Sequence, residues 1–404
     1  MTAPDAALTP SAARGATART PTLPVRARIA ALESSPIRAI AHLGMDDPEV
    51  IPLWFGEPDL PTPGFIVEAA AKALRDGHTF YSPNRGVLGL REALAEYQST
   101  LYRRPIDIDR ITVSVAGMNA LMLVAEALID PGDNLVVLCP VWPNFTRCIE
   151  IMGGEARMVA LEDAGQVWRL DLERLFAACD RRTRAICVNS PSNPTGWMMS
   201  VDEQRLLLEG CRRRGLWLIS DEVYARLVYD RPHAPSFLEI AEPDDLLIVV
   251  NSFSKSWAMT GWRLGWMTTP PALGPILEKL TEYNVASPPT ANQIAGITAL
   301  RDGEPLVRAL VERYRLARDT VFQRLDAMRR VRMAKPEAAF YAYFSVQDMT
   351  DSMAFAKRVL AEAKVGLAPG LAFGPGGDRY LRICFAKSPE LLGAALDRLA
   401  PLLD

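Results

Sequence analysis

Between Leu90 and about Leu280, short apolar runs alternate with longer segments of helical period, and this alternation restricts the chain more than any other feature. The runs cover residues 111–115, 135–139, 185–188, 216–219, 246–250 and 264–267. Except in 111–115, where Thr112 and Ser114 alternate with apolar residues, the runs have no polar residue at every second place, which suits strands buried on two faces. Segments 119–129 and 200–213 lie between them, with apolar residues three and four apart, as amphipathic helices require. Strands interleaved with helices predict an α/β fold with a mostly parallel sheet flanked by helices. After Pro288 the pattern changes to a long helical stretch (291–330), strand-like pieces at 340–346 and 380–385, and a C-terminal helix. That predicts a second, smaller α+β domain drawn from both ends of the chain. The expected division is a flexible tail (1–25), an arm that forms part of the small domain (26–60), a large domain (61–290) and a C-terminal small domain (291–404). A chain of 404 residues is long enough for two cores.

Composition excludes several classes. The net charge is only −3, without the basic excess of a nucleic-acid binder. No apolar run approaches the ~20 residues that span a bilayer, and the first 25 residues lack the apolar core of a secretory signal. No membrane partner is therefore expected. Six scattered cysteines form no CxxC pair, and three histidines leave little for a metal site, so no metal is expected. Reduced cysteines of this kind suit the cytoplasm.

Ligands of open parallel sheets bind at the carboxyl ends of the strands, so the residues that follow each run carry the functional signal. Ala116, Gly117, Met118 and Asn119 follow the first run as a short turn ahead of a helix, and the backbone N–H groups of that turn suit a phosphate. Trp142 follows the second, Asn193 the third, Asp221 with Tyr224 the fourth, and Ser252, Ser254 and Lys255 the fifth. A phosphate cradle, an aromatic plane, an amide, a carboxylate with a phenol, and a lysine are what a phosphorylated aromatic aldehyde requires.

The same residues stand in segments that resemble the class I/II aminotransferases, the fold-type I enzymes dependent on pyridoxal 5′-phosphate. The likeness runs from about residue 50 to the end, through Gly56-Glu57-Pro58-Asp59, Asn193-Pro194-Thr195-Gly196, Asp221-Glu222-Val223-Tyr224, Ser252-Phe253-Ser254-Lys255, Gly261-Trp262-Arg263 and Arg382. The resemblance implies that Lys255 holds the cofactor aldehyde as a Schiff base and moves the substrate proton. Asp221 would pair with the pyridine nitrogen, Tyr224 and Asn193 with the phenolic oxygen, and Trp142 with the ring face. Ser252, Ser254, Arg263 and the N–H groups of Gly117, Met118 and Asn119 would hold the phosphate. Tyr81 would reach it from a second subunit, which implies a homodimer. Arg382, helped by Gly56 and Asn193, would clamp the substrate α-carboxylate. Met118 stands where many relatives carry Ala, Gly or Ser. Tyr283, Asn284, Ser287 and Tyr341 are candidates for the pocket wall.

The implied reaction passes the amino group of an L-amino acid to a 2-oxo acid by a ping-pong route. The alternatives are a lyase or oxidase on the same scaffold (C–S lyase-like or ACC synthase-like) and a non-catalytic regulator that binds the cofactor. The regulator lacks support, since no helix-turn-helix segment precedes residue 26.

Overall fold

The computed structural model describes residues 24–404; the tail expected at 1–25 falls outside them but for its last two residues. The described residues up to Leu32 form a unit of their own with one short helix, Ala27–Ala30. Everything below concerns the unit Glu33–Asp404.

Its centre is a seven-stranded sheet of β1 (Ile111–Ser114), β2 (Asn134–Cys139), β3 (Glu155–Ala160), β4 (Thr183–Asn189), β5 (Trp217–Asp221), β6 (Leu247–Ser252) and β7 (Gly265–Thr268). The strand order is β1-β7-β6-β5-β4-β2-β3. Only β7 runs against its neighbours β1 and β6. The α/β class with a mostly parallel sheet is therefore as the sequence predicts. Six of the seven strands coincide with the predicted runs to within two or three residues. The seventh, β3, was not foreseen. Its sequence Glu-Ala-Arg-Met-Val-Ala carries two charges because it is the half-exposed edge.

Successive residues of the inner strands feed opposite cores. Val136 and Leu138 belong to one apolar cluster, Leu135, Val137 and Cys139 to the other. A strand buried on two faces has no reason to alternate, and each Leu or Val contributes about 1.5–3 kcal/mol by its burial. Helix Ala116–Leu128 covers one face with Leu121, Leu123 and Val124. Helix Val201–Arg214 covers the other with Leu207, Leu208 and Cys211.

A second sheet, all antiparallel, consists of β8 (Val331–Met333), β9 (Tyr341–Val346), β10 (Ala368–Pro369) and β11 (Tyr380–Cys384), in the order β8-β9-β11-β10. Its apolar cluster joins Ile37, Ile40, Leu53 and Trp54 to Tyr314, Phe344 and Leu396. Ile51 and Pro52 also pair in parallel with Val365 and Gly366. The helical stretch expected at 291–330 is two helices, Thr290–Asp302 and Glu304–Asp326, parted at Gly303. Pro305, in the first turn of the second helix, cannot continue the first, and Gly303 suits the junction because a Cβ there would stand 2.2 Å from the Ala299 carbonyl oxygen and 2.8 Å from the Trp257 ring. Among the described residues, no helix is long and apolar enough to cross a membrane, and no group of three or more His, Cys, Asp or Glu side chains could hold a metal ion.

Candidate active site

Because β1, β2, β4, β5 and β6 are parallel, their carboxyl ends share one edge of the sheet. A cleft of about 270 Å³ opens there. Lys255, Asp221, Tyr224, Asn193, Trp142, Gly117, Met118, Ser252, Ser254, Arg263, Gly56 and Arg382 all line it. Residues from Gly117 to Lys255 thus meet because the strands end side by side, and Gly56 from the N-terminal segment and Arg382 from β11 join them.

Lys255 lies in the short helix Phe253–Ser256, capped by Ser252, whose Oγ accepts from the Ser254 N–H at 3.0 Å. Its Nζ donates to the Gly56 carbonyl at 2.7 Å and lies 6.0 and 5.9 Å from the ring centres of Tyr224 and Phe340. Burial brings its pKa down from 10.5 to about 8, Arg382 and Arg263 adding to the fall. Gly56 must be glycine for this contact: a Cβ would meet the Tyr341 hydroxyl at 1.9 Å.

Asp221 ends β5, and its Oδ1 accepts from the Val223 N–H at 3.3 Å. Burial raises its pKa to about 6, against the opposing pull of that N–H and of Lys255. The β5 end is fixed in turn by Asn189. Its Nδ2 donates to the Asp221 carbonyl at 3.0 Å, and its Oδ1 accepts from the Asn193 N–H at 2.8 Å.

Tyr224 and Tyr341 share a hydroxyl hydrogen bond of 2.7 Å, and burial pushes the two phenols upward. Arg382, on β11, is almost fully buried. Its Nη1 donates to Asn193 Oδ1 at 3.1 Å and its Nη2 to the Trp54 carbonyl. Its guanidinium lies 4.6 Å from the Tyr341 ring centre, and its Nε is buried with no partner. A buried charged donor left unmade is costly, so this atom marks a position for an acceptor.

The remaining polar corner faces the first turn of helix Ala116–Leu128. No side chain caps that turn, so its N–H groups, those of Gly117, Met118 and Asn119 included, have no intrahelical partner. Ser252 Oγ and Ser254 Oγ lie 2.8 Å apart beside it. Arg263, in the left-handed region at φ 53°, is exposed at the mouth. A cluster of hydroxyls, free N–H groups and a guanidinium suits an oxyanion.

Some predicted residues lie elsewhere. The Asn119 side chain is not in the cleft: its Oδ1 accepts from the Val115 N–H at 3.1 Å and its Nδ2 donates to Asn284 at 3.2 Å. Tyr81 is 90% exposed and lines no part of this chain's own cleft. Of the four wall candidates only Tyr341 lines it; Tyr283 is exposed, Asn284 holds Asn119, and Ser287 Oγ accepts from the Ser82 N–H. Sequence reasoning did not single out Ser35, Arg38, Trp54 and Phe55, which line the cleft from the N-terminal segment. No motif marks them, because their approach depends on how that segment packs on β9 and β11.

The chain matches the family described as aminotransferase class I and II over residues 48–399. An aspartate aminotransferase of Thermotoga maritima is 36% identical to it over 361 residues, 88% of this chain and 92% of the relative. An aromatic-amino-acid aminotransferase of Thermococcus litoralis is 32% identical over 382 residues, 93% of this chain and 97% of the relative. Among solved structures, an aspartate aminotransferase of Thermus thermophilus superposes with a TM-score of 0.87 at 32% identity, covering 95% of this chain and all of that one.

Proposed function

Because the chain belongs to the aminotransferase class I and II family, we propose that this aminotransferase holds pyridoxal 5′-phosphate in the cleft and works in two ping-pong half-reactions. In the first, an L-amino acid leaves its amino group on the enzyme; in the second, a 2-oxo acid collects it. The observation that carries the reading is the buried Lys255 amine at a strand end, with a carbonyl as its hydrogen-bond partner and a pKa brought down to about 8.

The donor set fits such a cofactor. The hydroxyls of Ser252 and Ser254, the first-turn N–H groups of Gly117, Met118 and Asn119, and the Arg263 guanidinium hold its phosphate. Trp142 covers one face of its ring. When bound, the cofactor supplies an electron-poor pyridine ring that draws off the electron pair left at the substrate Cα. Asp221, at the end of β5, keeps that ring electron-poor: a carboxylate anion beside the ring nitrogen favours the proton on that nitrogen. Tyr224 and Asn193 donate hydrogen bonds to the phenolic oxygen. The Nζ of Lys255 carries the cofactor between turnovers and takes the proton from the substrate Cα during them. Arg382 holds the α-carboxylate, with Nε as the donor still free and the Gly56 backbone beside it. Fixing this carboxylate sets which Cα bond faces Lys255.

The same reading includes three wider points. The enzyme works as a homodimer in which Tyr81 completes the phosphate site of the partner subunit. The sheet of β1 to β7 and the sheet of β8 to β11 serve as cores of a large and a small domain, divided as the sequence predicts. All six cysteines are unpaired, as suits the cytoplasm.

The half-reaction tests the proposal. With an amino donor and no acceptor, the visible absorbance of the loaded enzyme should disappear and one 2-oxo acid per subunit should form, after which nothing further happens until an oxo acid is added. Continuous product formation without an acceptor would identify a lyase and overturn it.

A further inference from the structure

The Arg382 guanidinium lies among aromatic rings, 4.6 Å from the ring centre of Tyr341 and 5.3 Å from that of Phe373. Tyr341 lines the cleft, whereas Phe373 stands outside it and is only 1% exposed. We propose that Phe373 is a positioning residue whose ring backs the Arg382 guanidinium and keeps water from it. The amino donor and the 2-oxo acid then present their carboxylates to a dry, fixed cation. The proposal rests on the transamination reading, in which Arg382 holds that carboxylate.

Phe373 is held from both sheets. It ends the short helical turn Gly370–Phe373, which follows β10 directly. Its carbonyl accepts from the Val141 N–H at 2.9 Å, two residues beyond the end of β2. The next residue, Gly374, has φ 123°, and a Cβ there would come within 3.1 Å of Met158 Sδ and 3.3 Å of the Cys139 Cβ. The turn is therefore pressed against β2 and β3 where only a glycine fits. On its other side the Phe373 ring meets the Tyr343 ring edge-on at 5.8 Å, and Tyr343 stands opposite Arg382 in the ladder of β9 and β11. Tyr343 is itself stacked on Tyr380 at 4.7 Å, and its hydroxyl donates to the Gly370 carbonyl at 3.4 Å.

Dryness matters at this cation. Nη1 and Nη2 of Arg382 have partners in Asn193 and Trp54, and the buried Nε is the donor left for a carboxylate. Charged hydrogen bonds are stronger where the local dielectric is low, and a carboxylate that must first displace an ordered water binds less well. An aromatic ring suits the backing, because it brings no acceptor to compete for Nε and its face attracts a guanidinium. A smaller side chain at 373 would leave room for water beside the charge. The carboxylate is held alike in ground state and transition state, so the effect belongs in KM and not in kcat. Both half-reactions use Arg382, so both KM values should move together.

The test compares holoenzymes of wild type, Phe373→Leu, Phe373→Ala and Arg382→Lys. Equilibrium binding of 3-phenylpropionate, a carboxylate that cannot react, should weaken about 3- to 10-fold in Phe373→Leu and about 10- to 30-fold in Phe373→Ala. KM for the amino donor and KM for the 2-oxo acid should rise by similar factors, with kcat within about threefold of wild type. Should Phe373→Ala fail to fold, Phe373→Leu decides. Binding and KM values within about twofold of wild type in the folded variants overturn the proposal, and so does a fall in kcat with KM unmoved, which marks a merely structural residue. Arg382→Lys tests the reading beneath, and should weaken 3-phenylpropionate binding by about tenfold or more. If Arg382→Lys binds it as wild type does, the assignment of the carboxylate to Arg382 fails. If Arg382→Lys weakens binding and the Phe373 variants do not, the positioning role fails and transamination stands.

Discussion

Burial lowers the Lys255 pKa to about 8, and a shift of two and a half units changes the neutral fraction at pH 7 by roughly 300-fold relative to an exposed lysine. The neutral amine attacks the aldehyde, so the rate at which cofactor-free protein captures pyridoxal phosphate should rise with pH through about 8 and then level off. A stopped-flow record of visible absorbance against pH checks this; a rise continuing to pH 10 would mean an ordinary, solvated lysine. Lys255→Ala should lose that absorbance and at least about 10²–10⁴ of the turnover. Gly56→Ala tests the opposite wall. The added Cβ meets the Tyr341 hydroxyl, so either the loop or the Tyr224–Tyr341 pair must move. The expected cost is about 1–3 kcal/mol in thermal unfolding together with a loss of kcat. The sequence made Lys255, Asp221, Tyr224 and Asn193 legible because each stands within five residues of the end of an apolar run. Arg38 and Phe55 follow none, and only the packed structure brings them to the same cleft.

At the scale of elements, strands buried on two faces were readable from uniform runs, and β3 was not, because an edge strand tolerates Glu155 and Arg157 in its middle and ends. Helix starts were less sharp: residues 119–129 were expected, and the helix begins at Ala116, whose φ of 70° lies in the left-handed region. No periodic pattern announces three N-terminal residues chosen for a site and not for a core. Helix Val201–Arg214, by contrast, carries a capping box. Ser200 Oγ accepts from the Glu203 N–H at 3.3 Å, and Glu203 Oε2 accepts from the Ser200 N–H at 2.8 Å. Ser200→Ala should destabilise the fold by about 1 kcal/mol and leave kcat/KM unchanged, since nothing in the box touches the cleft. Calorimetry with steady-state kinetics on one preparation checks both halves. A loss of activity without a loss of stability would mean that this helix does more than support β4 and β5.

For the whole molecule, the exposed Tyr81 makes a prediction that a single chain cannot satisfy. If Tyr81 serves the partner's phosphate site, Tyr81→Ala and Lys255→Ala should each be impaired alone, yet a mixed dimer should contain one intact site. Random mixing makes half the dimers mixed, so activity should recover to about a quarter of wild type. No recovery would remove Tyr81 from the site. The central claim is more basic than the dimer: Lys255, and no other lysine, carries the cofactor. Reduction of the loaded enzyme with borohydride, followed by digestion and mass spectrometry, tests it directly. The account predicts one phosphopyridoxyl group per chain, on the peptide containing Lys255. A group on any other lysine, or none at all, would contradict it.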